Sequence, residues 1–263
     1  MMLKKRIIFI LFLALMVVSV WGAQAEDVSP DASLSIADGN ENFDEFFEQG
    51  DVSDPFEPMN RVFFEVNDKL YFWILKPVNT AYTKVVPLDF RQCVGNFFDN
   101  IASPVWMVNN LLQGKFAGAG IDLSRFLINS TVGVLGLGDP ALQSFGIRPR
   151  PEDFGQTLGL WGVGEGPYLY LPLIGPLTLR DSVGFAGDAL SHPVTYIGST
   201  TYLDRLGYYT ADKVNLMSLH PGLYEEMKRY SLDPYISMRQ VYIEYRRNRV
   251  LDREVRNKII DEL

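Results

Sequence analysis

The sequence predicts a single, mainly helical domain of short amphipathic helices, interrupted by one greasy segment that no helix can cross. Three observations carry this. Apolar residues from Met59 to Ile74 recur at helical spacing. From Asp99 to Ile147 only five of 49 positions are charged. Neither apolar run in that stretch reaches the about 20 residues a bilayer-spanning helix needs. Finally, Phe154 to Asp181 holds six glycines and three prolines, with only Glu165 and Arg180 charged between its ends.

The chain opens with a basic Lys4-Lys5-Arg6, an apolar run from Ile7 to Trp21, and Ala23-Gln24-Ala25. This pattern predicts a signal peptide, residues 1–25, cut between Ala25 and Glu26. The net charge of the 263 residues is −8, and loss of three basic residues makes it more negative. That acidity is local. Glu26 to Asn60 carries eleven acidic residues and no Lys or Arg, whereas Arg61 to Leu263 balances 21 against 21. Residues 26–53 therefore read as an acidic, disordered leader. A neutral body with an acidic leader is a poor nucleic-acid ligand, so no nucleic-acid partner is expected. Cys93, the only cysteine, lies far from the cleavage point and reads as a small apolar residue.

In the body, Asp54-Pro55-Phe56-Glu57 has the form of a helix start, with Asp54 as cap and Pro55 in the first turn. Met59, Val62, Phe63, Val66, Leu70, Trp73 and Ile74 then make one face, expected to be buried, with Phe64, Tyr71 and Phe72 off it. Lys76-Pro77 is expected to end this helix. Asn100 to Gly114 and Gly120 to Val132 read as further short helices, with Pro104 near the start of the first and Gly133 to Gly138 breaking the second. Each suits a large core or a membrane interface equally well.

Pro167, Pro172 and Pro176 make Phe154 to Asp181 a proline-pinned hairpin or extended wall, with Tyr168 and Tyr170 expected at an apolar–polar boundary and Leu171 and Leu173 in the wall. Tyr202 to Leu219 reads as a helix, as does the chain beyond Pro234. Arg239 to Lys258 carries seven basic and three acidic residues, a solvated face or a contact for anionic lipid headgroups.

Catalytic patterns are scarce. His192 and His220 each precede a proline, and no G-x-S-x-G, H-E-x-x-H, paired-cysteine or Walker motif occurs. Neither a cofactor nor a metal is expected. Adjacent Glu152 and Asp153 read as a turn or a helix start.

The order of several motifs resembles the MlaA (VacJ) family: DPFEPMNR from Asp54, KPV from Lys76, PVWMVNNLLQG from Pro104, RFLINSTVGVLGLGD from Arg125, FGQTLG, GVGEGPY and TLRD within Phe154 to Asp181, and SLDPYISMR from Ser231. The resemblance spans residues 54–249, leaving 250–263 as a charged helix end or tail. It implies an all-α, ring-like single domain with a central amphipathic channel, seated in the inner leaflet of the outer membrane. It also implies an outer-membrane component of intermembrane phospholipid transport, which removes mislocalised phospholipid from the outer leaflet and passes it to a periplasmic carrier protein. A trimeric porin is a further implied partner. Family members carry a lipobox, whereas this chain has the Ala23-Gln24-Ala25 site. A headgroup needs polar lining, because a charge without a partner is costly to desolvate. Candidates for such lining are Asn109, Asn110, Asp122, Arg125 and Asn129, each equally suited to capping helix ends. An outer-membrane phospholipase and a non-transporting porin bridge are the alternatives.

If Ala25 is the cleavage point, intact-mass measurement of the mature protein will give a chain starting at Glu26 without acyl groups. A mass carrying fatty acyl chains would overturn that expectation.

Overall fold

The structure is a computed structural model that describes residues 53–196 and 202–261, with side chains from 53 to 196 and from 207 to 251. The expected signal peptide and nearly all of the acidic leader lie outside the described residues.

Helix α1 (Glu57–Leu70) passes through one π-helical turn (Tyr71–Leu75) into α2 (Lys76–Val85). Lys76-Pro77 therefore does not end the helix, contrary to the sequence expectation. The Lys76 amide bonds back to the Tyr71 carbonyl, and this wider turn gives the Pro77 ring room that a regular α turn would deny it. Two longer helices follow, α3 (Leu88–Leu112) and α4 (Phe116–Thr131), packed as a hairpin. Pro104 lies inside α3, which begins twelve residues before the expected start at Asn100. Packing along α4 holds this helix together past its proline; a tertiary effect overrides the local signal.

The remaining elements are short. They are α5 (Pro140–Gln143), α6 (Phe154–Leu160), β1 (Tyr168–Leu171), β2 (Gly175–Thr178), α7 (Leu179–Ser191) and a 3₁₀ turn (Pro193–Thr195). Helices α8 (Tyr202–Leu219), α9 (Leu223–Tyr230) and α10 (Pro234–Asp261) complete the described chain. The fold is all-α apart from one antiparallel hairpin, with Tyr168 opposite Thr178 and Leu171 opposite Gly175. Among the described residues no helix is long and apolar enough to cross a membrane.

The packing of α1 reverses the expected face. Asn60, Phe64, Asn67, Tyr71 and Leu75 are buried, at helical spacing. Of the predicted stripe, Met59, Val62 and Val66 are exposed, and Trp73 is 73% exposed. The reason lies in what the hairpin needs. One edge of β1 pairs with β2, and its other edge would leave backbone groups unmade. Asn60 satisfies part of that edge: its Oδ1 accepts from the Tyr170 amide at 2.9 Å and its Nδ2 donates to the Tyr168 carbonyl at 3.2 Å. Asn67, two turns on, repeats the pattern with the Leu173 amide at 2.8 Å and the Leu171 carbonyl at 3.0 Å.

Asp54 does not cap α1 with its side chain. Instead it accepts from Asn60 at 2.8 Å, from Arg239 at 2.8 Å and from the Tyr235 hydroxyl, tying the start of the domain to α10. The core beside this bridge is aromatic: Phe64, Tyr71, Tyr168, Tyr170, Tyr224, Tyr235 and Tyr242, with Leu75, Met238 and Ile243. Tyr168 and Tyr170 thus belong to the core and not to an apolar–polar boundary.

Asn60→Leu will lose the hairpin's backbone partners while keeping an apolar side chain of similar size. Buried groups left unpaired cost about 1–3 kcal/mol each. Thermal unfolding in detergent should show a clearly lowered midpoint, and an unchanged midpoint would refute the role of this amide.

Candidate functional site

A cavity of about 260 Å³ opens between α3, the entry to α6, α7, α8 and α10. Helix α3 turns Phe98, Asp99, Ala102 and Trp106 toward it, a spacing of one helical face. Residues Pro151 to Asp153 and Gln156 line it from the α6 side, and Phe185 and His192 from α7 and its end. Tyr208, Tyr209, Asp212, Lys213 and Leu216 come from α8, and Tyr245, Arg246 and Arg249 from α10. The lining is therefore mixed, aromatic and aliphatic carbon beside charged groups.

One ion cluster holds three walls together. Asp153 caps α6, accepting from the Gln156 amide at 2.8 Å. It also receives both Nη atoms of Arg246, at 2.5 and 2.8 Å. The same guanidinium reaches Asp181 in the first turn of α7, at 3.1 and 2.8 Å, and Tyr242 donates to that carboxylate at 2.7 Å. Burial would raise both acids, yet the Arg246 charge and its hydrogen bonds outweigh that and hold both below the carboxylate range. Helices α6 and α7 can approach closely enough because Gly184 meets Gly155: a Cβ on Gly184 would stand 2.4 Å from the Gly155 nitrogen. The basic face expected of α10 is accordingly spent inside. Arg239 pairs with Asp54, Arg246 with Asp153 and Asp181, and Arg247 with Glu165.

His192 packs on Tyr208 and Tyr209, with ring centroids 5.3 and 5.4 Å away, and its Nδ1 accepts from the Val194 amide at 3.3 Å. Burial lowers its pKa to about 4, so the ring is neutral. Asp188, behind the cavity wall, accepts from the Phe154 amide and from Asn109. Burial, then the nearby Asp153 charge, pushes it up to about 7.

The residues expected to line a lipid path lie elsewhere. Asn109, Asn110, Asp122, Arg125 and Asn129 are buried between helices. Asn110 donates to Asp122 at 2.8 Å, and Asp122 accepts from the Arg150 amide at 3.1 Å. Arg125 and Asn129 converge on Asp139 at 2.8 and 2.9 Å, while Asn109 joins Thr157 to Asp188. None of these five, nor Tyr168, Tyr170, Leu171 or Leu173, lines the cavity. Their polar atoms are committed to joining helices, which an apolar exterior makes necessary. The cavity residues that the sequence left unremarked, Trp106, Gln156, Tyr208, Tyr209, Asp212 and Lys213, carried one usable signal: α8 mixes aromatic and charged residues on a single face.

The outer surface is unusually apolar. Phe90, Phe116, Leu127, Val132, Phe145, Trp161 and Leu190 are exposed, as are Val134 and Leu135. These last two sit at the turn after α4 with φ of 54° and 59°.

The family model described as MlaA lipoprotein matches residues 52–249. Two curated relatives, from Shigella flexneri and Escherichia coli K12, are each named "Intermembrane phospholipid transport system lipoprotein MlaA". They are 35% and 34% identical to this chain over 199 residues, covering 73% of it and 76% of each relative. A third with the same name, from Haemophilus influenzae, is 29% identical over 72% of this chain and 76% of its own. A solved structure, described as the structural basis for maintenance of bacterial outer membrane lipid asymmetry, matches with a TM-score of 0.67 at 34% identity. It is covered to 99%, and this chain to 75%.

A carboxyl whose pKa is raised in the folded state adds stability below its unfolded value, and that stability is lost as pH rises through the folded value. For Asp188 this window runs from its ordinary 3.8 up to about 7. Asp188→Asn keeps Oδ1 as acceptor for Asn109 and Phe154 but cannot ionise. It should unfold at a higher temperature than the wild type near about pH 8, with the gain vanishing below about pH 4. A variant less stable than wild type at the higher pH would show that the ionised carboxylate is needed there.

Proposed function

Because the chain belongs to the MlaA lipoprotein family, we propose that it serves intermembrane phospholipid transport at the outer membrane and is not an enzyme. It sits on the periplasmic side, in the inner leaflet, and takes up phospholipid that has strayed to the outer leaflet. It passes that lipid to a periplasmic carrier, and a porin is the partner that helps seat it. The names of the curated relatives and the fold they share support this reading.

The observation that carries it is the distribution of polarity. Apolar side chains cover much of the exterior, and the charged groups gather within and around a cavity. Contiguous exposed apolar surface marks an interaction site for membrane or protein. Helices too short to span can seat their apolar faces about 5–10 Å into the interface. A phospholipid needs both environments at once. Its acyl chains need carbon surface, which Phe98, Trp106, Phe185 and Leu216 provide, and its headgroup needs charged partners that repay desolvation. His192 offers little to hydrolysis, since its Nδ1 is engaged by the Val194 amide within a buried aromatic cluster.

Phe185 lies on α7, part-exposed, with its ring at the cavity wall. Phe185→Asp places a carboxylate without a partner against acyl-chain surface, at a position that tolerates polarity in the fold. Cells carrying it at the normal protein level should raise outer-leaflet phospholipid toward that of a strain lacking the protein. Wild-type lipid asymmetry in such cells would remove the cavity from the transport path.

A further inference from the structure

Taking the transport reading as its premise, the cavity's chemistry selects among headgroups. Three aromatic rings meet at its α8 wall. His192, Tyr208 and Tyr209 lie pairwise 5.3 to 5.4 Å apart, and Phe98 stands 5.0 Å from Tyr208. Two carboxylates accompany them in the lining, Asp99 from α3 and Asp212 one turn beyond Tyr208 on α8. Both act electrostatically on the Tyr208 hydroxyl, which places them on the same side of the cavity. His192 is neutral and does not repel a cation there.

A second, independent observation points to a donor-bearing ligand. Gln156 lines the same cavity and is only 3% exposed. Its amide is oriented, because Nε2 donates to Asp153 Oδ2 at 2.8 Å. The carbonyl end, Oε1, is buried with no hydrogen-bond partner among the described residues. A buried acceptor without a donor is costly, so a site that leaves one facing a cavity is suited to an N–H from outside. Cations meanwhile stand further along the lining, with Lys213 beside Asp212 at 3.3 Å and Arg249 on α10.

We propose that the cavity is a subsite for a zwitterionic phosphoethanolamine headgroup. Its primary ammonium lies against the Tyr208 and Tyr209 rings, between Asp99 and Asp212, and donates to Gln156 Oε1. Its phosphodiester lies toward Lys213 and Arg249. Aromatic faces with adjacent carboxylates attract any ammonium. The open acceptor narrows the choice, because a quaternary ammonium has no N–H to give it. A glycerol headgroup has no cation at all and would set its phosphate against unanswered carboxylates. In total the lining holds four carboxylates against three cations, the wrong balance for a net-anionic lipid.

The test uses the purified full chain and mixed vesicles of equal phosphatidylethanolamine, phosphatidylcholine and phosphatidylglycerol, with the lipid extracted by the protein counted by mass spectrometry. Wild-type protein should retain phosphatidylethanolamine about tenfold over phosphatidylglycerol, the scale of one desolvated cation–aromatic contact. The double variant Asp99→Asn, Asp212→Asn should take up similar total phospholipid with that preference gone. Recovery of the three lipids in vesicle proportion by wild-type protein overturns the headgroup assignment but leaves the transport reading intact. Phosphatidylcholine retained as well as phosphatidylethanolamine overturns it too, since the N–H acceptors would then be idle. No phospholipid extracted at all overturns both. Soluble glycerophosphoethanolamine separates a lipid headgroup from a free amine: binding as tight as the lipid's would show that the occupant is the soluble compound.

Discussion

Arg246 sits where α6, α7 and α10 meet, buried, and answers two carboxylates at once. Asp153 starts α6 and Asp181 lies in the first turn of α7, so this single guanidinium fixes how two helices enter the molecule. A cluster of this kind is no cheap source of stability, because three charges must leave water to form it. Its value is geometric. Removing one partner strands a buried charge, at about 3–5 kcal/mol, so alternative docking angles of these helices are penalised. The cavity wall is a consequence: Asp153, Gln156 and Arg246 reach it from positions that the cluster sets.

The same logic runs through the rest of the molecule. Asn60 and Asn67 serve the free edge of β1, Asn110 and Asp122 join α3 and α4 to the chain at Arg150, and Asn129 with Arg125 closes on Asp139. Polar side chains are therefore concentrated inside, each with partners, while Val62, Trp73, Phe90 and Phe116 face outward. In water such an arrangement would expose large apolar surface at a cost of about 25 cal/mol for each Å². Against a lipid leaflet that cost disappears, and buried polar networks become the cohesion that hydrophobic burial supplies in a water-soluble protein. Membership of the MlaA family and this distribution point in one direction.

Much of this was legible from residue order. The helices at Glu57, Phe116 and Tyr202 follow from apolar spacing, and the break at Gly133–Gly138 from glycine content. The prolines at 167, 172 and 176 correctly exclude a helix through that stretch and fit the observed hairpin. The site was less legible. Asn109, Asn110, Asp122, Arg125 and Asn129 stand out in sequence as polar residues within apolar runs, and that is a mark of burial with partners, whereas cavity lining draws on ordinary-looking Tyr208, Tyr209 and Asp212.

By itself, then, the sequence determined which segments are helical, where the hairpin must fall, and that no described helix can span a bilayer, because these depend on spacing, prolines and run length. Tertiary structure alone decided which face of each helix turns inward. Periodicity locates an apolar face but carries no sign for its surroundings: water drives it inward, lipid allows it outward. On α1 the choice went to Asn60 and Asn67, since only they could answer the backbone of a strand more than a hundred residues away. A hydrogen bond across that separation exists only once the chain has folded.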